Sequence, residues 1–385
     1  MEQNSMRTHW TLRCSSCDTP ADLHLASTCG ACGQPLFAHY DAVSRTRAPS
    51  DRWDAWRYSQ FLPIEEDEQP VSLGEGLTPL IQSRSLADYV GVRNLWIKDE
   101  GQNPTGSFKA RGMSAAVTRA KGAGVEGIVV PTAGNAGAAL AAYGAAAGLE
   151  VRVFAPATTP RPILETIEAY GAHLERIDGH IGDAGRMANA FAAERGYVNI
   201  ATLREPYRVE GMKTMGFEMA EQLGWRVPDV VVYPTGGGEG TIGIWKALSE
   251  LQRNGWLAVD AGQPRYLVAQ AAGCAPIAKA FSSGSERAEP WESPWTHAAG
   301  LRVPAPFGDR LLLRILRETN GIAAAVTEDD IREHTKLLAT HTGIDAAPEG
   351  GCALSALRQS VMQGTLSADS DVVIFNTGAG ASYRA

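Results

Sequence analysis

Lysine and excess positive charge are scarce in this sequence. Only seven of the 385 residues are lysine, and the formal net charge at pH 7 is −8. This balance argues against a nucleic-acid partner or an anionic membrane surface, because both attract basic patches. The longest small-apolar run, residues 136–148, is too short and too rich in glycine to cross a bilayer. The first residues lack the apolar region of a signal peptide, so we expect a cytoplasmic protein that binds neither nucleic acid nor membrane.

Cysteine is also sparse, but four of the six cysteines lie close together. They are Cys14, Cys17, Cys29 and Cys32, in a C-x2-C-x11-C-x2-C pattern. Two such pairs can present four thiolates to one zinc ion, and a full set of four ligands indicates a structural metal. A pair of disulfides, or a site that has lost its metal, are the alternatives. We predict a zinc-ribbon-like segment over residues 1–45.

From about residue 90, short Val/Ile-rich runs alternate with Ala-rich runs. Residues 95–100, 127–132 and 229–235 have the pattern of strands, whereas residues 135–148 and 241–256 have the pattern of helices. This alternation is typical of α/β proteins in which helices cover both faces of a parallel sheet. Ligands of such sheets bind at the carboxyl ends of the strands. The length is sufficient for two or three domains.

A glycine-rich loop follows one of the predicted strands. Gly236, Gly237, Gly238 and Gly240 lie between the strand that ends in YPT and a predicted helix. Backbone N–H groups at a helix start can bind phosphate. The chain has no Gly-Lys-[Ser/Thr] sequence, and the spacing differs from that of a dinucleotide fingerprint, which argues against both nucleotide-binding classes. A tight strand-to-helix turn without a ligand is the alternative.

A single phosphate together with a special lysine indicates pyridoxal phosphate, whose aldehyde condenses with a lysine amine. Lys109 follows the loop NPTGSF and opens a predicted helix after a predicted strand. A partly desolvated lysine in that place has the lowered pKa that this chemistry requires. Lys98 ends a strand and four further lysines lie in or near helical patterns, whereas Lys213 stays a candidate for the pocket. Lys109 is therefore predicted to be the catalytic lysine.

Five motifs, in order NPTGSFKARG, TAGNAG, PTGGGEG, APEGG and FNTGAG, resemble those of fold-type II pyridoxal-phosphate enzymes, and most of all the threonine synthase family. The resemblance covers essentially the whole chain, since many members open with a similar cysteine ribbon. It implies an α/β fold like that of the tryptophan synthase β subunit, with two parallel-sheet domains and the cofactor between them. We accordingly predict a large cofactor-binding domain over residues 46–99 and 206–385 and a small α/β domain over residues 100–205.

The resemblance also implies roles for individual residues. Lys109 carries the cofactor, Asn135 bonds its ring oxygen, and the hydroxyl of Thr377 meets its pyridine nitrogen. The glycine loop holds the cofactor's phosphate. The predicted cofactor-binding residues are Phe108, Lys109, Asn135, Gly236, Gly237, Gly238, Glu239, Gly240, Thr241 and Thr377. The predicted substrate-binding residues are Ser107, Thr132, Ala133, Gly134 and Lys213.

The activity that the resemblance implies is that of a carbon–oxygen lyase, which converts O-phospho-L-homoserine and water to L-threonine and phosphate. We also expect a homodimer. One departure bears on the substrate: Glu205 stands where the family commonly has an asparagine that helps hold the substrate's phosphate. A carboxylate there is unfavourable unless a cation offsets it. The candidate cations are Arg161, Arg204, Arg208 and Lys213.

Other classes of function stay open on the sequence alone. A related serine/threonine dehydratase, or a β-replacement synthase that uses phosphoserine, would need the same cofactor residues. A zinc-ribbon interaction protein without catalysis would not need them. The presence of Lys109, Asn135 and Thr377 argues against that last class.

Overall fold

The computed structural model describes residues 10–22, 27–40 and 43–384. The strands within them are β1 (Trp10–Cys14), β2 (Pro20–Ala21), β3 (Leu36–Tyr40), β4 (Leu80–Gln82), β5 (Asn94–Asp99), β6 (Gly127–Pro131), β7 (Glu150–Pro156), β8 (His173–Ile177), β9 (Val198–Asn199), β10 (Val230–Pro234), β11 (Arg265–Ala271), β12 (Ile322–Val326) and β13 (Asp371–Asn376). The α-helices are α1 (Arg84–Val90), α2 (Lys109–Gly122), α3 (Asn135–Ala147), α4 (Arg161–Ala169), α5 (Ile181–Arg195), α6 (Tyr207–Met212), α7 (Thr214–Gln222), α8 (Glu239–Arg253), α9 (Pro276–Ser282), α10 (Asp309–Glu318), α11 (Glu328–Thr342) and α12 (Pro348–Met362). The predicted strands and helices are confirmed.

The N-terminal segment forms a three-stranded antiparallel sheet in the order β2-β1-β3. Trp10, Leu12 and Ala38 of this sheet are buried in one core with residues of α2 and α3. The sheet therefore packs on the rest of the protein. Residues 1–9, 23–26 and 41–42 of the predicted ribbon lie outside the described residues.

The smaller parallel sheet has the order β8-β7-β6-β9. Its central strand β6 is an apolar run, and Ile128 and Val130 pack into a core with α2 and α3. Val129 points to a second core, which it shares with Ala184 and Ala188 of α5. Helices thus cover both faces, as the apolar strands predict.

The larger sheet has the order β12-β11-β10-β13-β5-β4 and is parallel except for β4, which pairs with β5 in the antiparallel direction. Alternate residues of its strands enter two cores. Val231 and Val373 pack with α7, α8 and α10, whereas Val232 and Ile374 pack with α1, α11 and α12. Among the residues that the structure describes, no helix combines the length and the apolar character that a membrane crossing requires.

Candidate active site

A cavity of about 440 Å³ opens beside the carboxyl ends of strands from both parallel sheets. This volume is typical of small-ligand sites, which span about 300–1,000 Å³. Segments that follow β5, β10 and β13 of the larger sheet and β6 of the smaller sheet line it. The structure therefore brings together most of the predicted site residues, namely Phe108, Lys109, Thr132, Ala133, Gly134, Asn135, Gly236, Gly237, Gly238, Glu239, Gly240 and Thr377.

Lys109 is the first residue of α2, and the loop before it has an unusual backbone. Thr105 and Gly106 both have positive φ, at 62° and 68°. Glycine adopts this conformation freely, whereas threonine is strained by it. The Nζ atom of Lys109 lies 4.2 Å from the centre of the Phe108 ring and 3.8 Å from the Glu239 carboxylate. Burial lowers the pKa of Lys109 to about 8, although Glu239 opposes the change. The amine is therefore partly neutral near pH 8, as a nucleophile must be.

The glycine loop connects β10 to α8, and its close contacts leave no room for side chains. A Cβ atom at Gly236 would lie 2.3 Å from the carbonyl oxygen of Gly300, and one at Gly240 would lie 2.1 Å from the Tyr233 hydroxyl. The N–H groups in the first turn of α8 have no partner within the helix, and the helix dipole adds partial positive charge there. The loop therefore forms a cradle with the properties of a phosphate site.

Thr377 and Asn135 lie on the cavity wall with Lys109. The backbone carbonyl of Thr377 accepts a hydrogen bond from the Phe108 N–H at 3.1 Å. This bond joins the loop after β13 to the segment that carries Lys109. Asn135 begins α3, and Tyr383 lines the same cavity. The cavity wall around Lys109 is thus built from segments that lie far apart in the chain.

The loop after β6 is fixed by one of its own side chains. The Thr132 hydroxyl accepts the Gly134 N–H at 3.0 Å and donates to the Gly134 carbonyl at 2.9 Å. Because these bonds use the N–H of Gly134, the first N–H groups of α3 are the ones left for an anion.

Lys213 does not reach the cavity, so its prediction as a substrate-binding residue is wrong. Its amine is fully buried and lies 2.6 Å from Glu210 and 2.7 Å from Glu250. It also donates to the Phe61 carbonyl at 2.8 Å. Since an ammonium group has three donors, these contacts saturate it. Lys246 of α8 pairs with the same two carboxylates, which makes this cluster a buried connection between α6 and α8.

Ser107 and Thr241 lie behind the cavity wall rather than on it. Both are fully buried. Ser107 forms an isolated β-bridge with Gly378, and the Thr241 hydroxyl lies 3.3 Å from that of Thr235. The Ser107 hydroxyl has no hydrogen-bond partner among the described residues, and its contact with the substrate stays a prediction. The N–H of Thr241, in the first turn of α8, stays a predicted phosphate donor.

Of the three arginines that the sequence offered as partners for a phosphate, only Arg204 lines the cavity. Arg161 is exposed on α4 and pairs with Glu165 at 2.6 Å. Arg208 is buried and pairs with Glu239 at 2.8 Å. These positions leave Arg204 as the one candidate of the three for a direct contact with substrate.

Glu205 does not line the cavity, although it replaces the family's asparagine. Its carboxylate accepts the backbone N–H groups of Tyr207 at 2.7 Å and Arg208 at 3.0 Å, at the start of α6. Burial raises its pKa to about 7, although Arg208 opposes the change. The departure at Glu205 therefore puts no carboxylate on the cavity wall.

Arg302, Glu349 and Tyr383 line the cavity, but the sequence alone suggested no role for them. Glu349 accepts hydrogen bonds from the Gly300 N–H and the Tyr383 hydroxyl, both at 2.8 Å. Glu349 belongs to the motif APEGG. That motif places the segment near the site but does not indicate that the glutamate side chain lines the cavity. Arg302 and Tyr383 lie in no recognised motif, so only the fold reveals them.

The four clustered cysteines converge at the edge of the N-terminal sheet. Their Sγ atoms all lie within 4.8 Å of one another. Sγ of Cys32 lies 3.4 Å from that of Cys14 and 3.5 Å from that of Cys17, and Cys17 lies 3.6 Å from Cys29. These separations are far above the disulfide length of about 2.05 Å. They approach the edge of about 3.8 Å that a tetrahedron with Zn–S bonds of about 2.3 Å would have.

Comparison with known proteins identifies the class of enzyme. The family described as "Pyridoxal-phosphate dependent enzyme" matches residues 71–378. The threonine synthase of Methanocaldococcus jannaschii is 34% identical over 376 residues, which cover 96% of this chain and 92% of that protein. The threonine synthase of Methanosarcina acetivorans is 35% identical over 361 residues, 91% of this chain and 86% of that protein. The chain therefore belongs to the pyridoxal-phosphate-dependent enzyme family and, within it, to the threonine synthase family.

Solved structures confirm the fold. The structure of maize serine racemase has a TM-score of 0.69 at 24% identity and covers 79% of this chain and 88% of its own. That of diaminopropionate ammonia lyase from Escherichia coli has a TM-score of 0.68 at 19% identity, over 84% and 94% of the two chains. Both likenesses concern the fold alone.

Proposed function

We propose that this protein is a threonine synthase, which uses pyridoxal phosphate to convert O-phospho-L-homoserine and water to L-threonine and phosphate. The observation that carries the proposal is a pair of arginines, Arg204 and Arg302, on the wall of the cavity that contains Lys109. Arg204 lies 3.9 Å from the centre of the Phe307 ring, and Arg302 donates to the Thr158 carbonyl at 3.5 Å. Within the described ranges neither guanidinium forms an ion pair with a carboxylate. Two such cations suit the phosphate of a substrate.

The residues around Lys109 fit the cofactor. Bound pyridoxal phosphate supplies an electron sink for charge that develops on the substrate. In this assignment the Lys109 amine holds the cofactor and moves protons at the substrate's carbon atoms. The glycine loop binds the cofactor's phosphate, and the Asn135 amide bonds its ring oxygen. The Thr377 hydroxyl meets the pyridine nitrogen, and because a hydroxyl does not keep that nitrogen protonated as a carboxylate would, the sink is a mild one.

The substrate's carboxylate is assigned to the loop after β6. Thr132, Ala133 and Gly134 line the cavity, and the start of α3 follows them directly. Backbone N–H groups at a helix start favour an anion. The reacting carbons of the substrate would then lie beside Lys109.

The division into domains is a proposal as well. The small domain, residues 100–205, would include the four-stranded sheet, and the large domain, residues 46–99 and 206–385, the six-stranded one. The cavity residues come from both ranges. The homodimer and the cytoplasmic location stay predictions.

Arg204→Ala is expected to lower kcat/KM for O-phosphohomoserine by about 10- to 100-fold, because a charge-assisted contact to phosphate contributes about 1.5–3 kcal/mol. The assay measures phosphate, threonine and 2-oxo acid side by side, so that a dehydratase or a β-replacement enzyme reveals itself by its product. The matched control is Arg161→Ala, an exposed arginine that does not line the cavity, which should behave as the wild type does. Equal activity of the two variants would remove Arg204 from the site.

We also propose that Cys14, Cys17, Cys29 and Cys32 bind one structural zinc ion per chain. The convergence of four Sγ atoms supports this assignment. All four ligand positions would be filled by thiolates, which leaves no open position for catalysis. The three-stranded sheet is small, and a metal would supply the stability that so few apolar residues cannot.

Cys14→Ser is expected to lower the free energy of unfolding by more than about 1 kcal/mol while kcat changes by less than about twofold. The reason is that the site stabilises the sheet but lies outside the cavity. The control is Ser16→Ala, an exposed residue of the same turn. Metal analysis of wild-type protein purified without chelators should give one zinc ion per chain, and a protein without zinc would refute the assignment.

A further inference from the structure

Glu239 brings a buried carboxylate to the cavity, although the phosphate loop needs only its N–H group. Its side chain is 2% exposed. Oε2 lies 3.8 Å from Nζ of Lys109 and 2.8 Å from a guanidinium nitrogen of Arg208. Oε1 is buried and has no hydrogen-bond partner among the described residues. A buried carboxyl oxygen without a hydrogen-bond partner is unfavourable, so a purely structural role does not explain this side chain.

The position of Arg208 follows from the close crossing of α2 and α6. A Cβ atom at Gly112 of α2 would lie 3.0 Å from the carbonyl oxygen of Arg208. The second terminal nitrogen of Arg208, Nη1, donates to the Ile200 carbonyl at 2.9 Å. The guanidinium is thus held at a fixed place. Glu239 consequently lies between two cations, the immobile Arg208 and the reactive Lys109.

We propose that the Glu239 carboxylate, held by Arg208, is a positioning residue that sets the orientation and the proton content of the Lys109 amine. This inference rests on the proposed function, in which Lys109 is the lysine that reacts. An amine that takes a proton from the substrate becomes a cation, and Glu239 stabilises that cation from 3.8 Å. Arg208 in turn, 2.8 Å from Oε2, holds the Glu239 carboxylate in place beside the amine.

The charges around Lys109 act in opposite directions on its amine. Burial and Arg208 lower the pKa of Lys109, whereas Glu239 raises it, and the result is about 8. Two further titratable groups face this region: Glu205, at the start of α6, and Tyr233, at the end of β10, both of which interact with Glu239. Removal of the Glu239 charge should therefore lower the pKa of Lys109, because the protonated amine loses the carboxylate that raises its pKa.

The test uses Glu239→Gln, which keeps the size of the side chain and an oxygen for Arg208. The apoenzyme is treated with acetic anhydride at a series of pH values, and peptide mass spectrometry gives the acetylated fraction of Lys109. The midpoint, expected near pH 8 in the wild type, should fall by about one pH unit in the variant. A second measurement uses the holoenzyme of the same Glu239→Gln variant. Its kcat should fall about tenfold, whereas its KM should change by less than about threefold. Glu239→Asp, whose carboxylate is retained but shorter, should restore part of both values.

Glu205→Gln is the matched control, because Glu205 is also a buried carboxylate next to Arg208 but does not line the cavity. Its Lys109 titration should overlie that of the wild type. A Glu239→Gln titration that also overlies the wild type would overturn the proposal. If the wild type makes no threonine while the Lys109 midpoint still shifts in Glu239→Gln, then the proposed function fails and the positioning role stands.

Discussion

Lys109→Ala is expected to lose the visible absorption band of lysine-bound pyridoxal phosphate and to lower kcat/KM by at least about 1,000-fold. The same amine holds the cofactor and moves the protons of the substrate, so that one substitution removes both actions. Lys109 is partly exposed at the cavity wall, with a side-chain exposure of 20%. Its truncation therefore removes little packing, and the variant should remain folded.

The control for this substitution is Lys121→Ala, an exposed lysine near the other end of α2. It should keep the band and the activity of the wild type. Both variants are measured by their absorption spectra after gel filtration and by threonine formation. A band that persists in Lys109→Ala would show that another lysine carries the cofactor.

Glu218→Ala is expected to lower the free energy of unfolding by about 3–5 kcal/mol, because it leaves buried cations without their shared partner. Glu218 lies 2.8 Å from Lys98 and 2.6 Å from Arg111, and all three side chains are fully buried. Arg111 also pairs with Glu100 at 2.6 Å. Since Arg111 is two residues beyond Lys109, this network anchors the start of α2 to the larger sheet. The loss of stability is measured by equilibrium unfolding in denaturant.

Glu333→Ala, on an exposed position of α11, is the control and should change stability by less than about 0.5 kcal/mol.

The pH dependence of the free energy of unfolding is a second test of the role of Glu218. Burial opposes ionisation of Glu218, but Arg111 and Lys98 outweigh it and hold its pKa at about 2, below the ordinary 4.5. Its contribution is therefore complete above pH 4.5 and disappears as the pH falls through 2. The wild type should lose more stability than Glu218→Ala over this interval; equal losses would contradict the role of the network.

Much of the site could be predicted because each of its parts is a short, continuous stretch of sequence. The glycine loop and Thr377 follow directly on apolar runs that form strands, and Lys109 follows such a run after a short loop. In a parallel sheet the ends of such runs meet at one edge, so that position along the chain determines position at the site. Asn135 follows β6 of the other sheet in the same manner.

The errors concern residues whose position depends on how helices pack. Lys213 lies between α6 and α7, and its helical neighbourhood could not reveal that Glu210 and Glu250 enclose it. Ser107 is two residues from Lys109, yet it is fully buried and does not line the cavity, which its place in the motif could not indicate. Arg302 lies about 100 residues from Arg204 in the chain, yet both line one cavity. Only tertiary packing produces such pairs, and no short motif records them.

The most direct test of the central claim follows the oxygen of water during turnover of O-phosphohomoserine in water enriched in oxygen-18. A threonine synthase breaks the bond between Cγ and oxygen, so the released phosphate keeps its own oxygens, and water adds at Cβ. We therefore predict that mass spectrometry finds a single oxygen-18 atom in threonine and none in phosphate, with the two products in equal amounts. Oxygen-18 in phosphate together with homoserine, or a 2-oxo acid in place of threonine, would contradict the account.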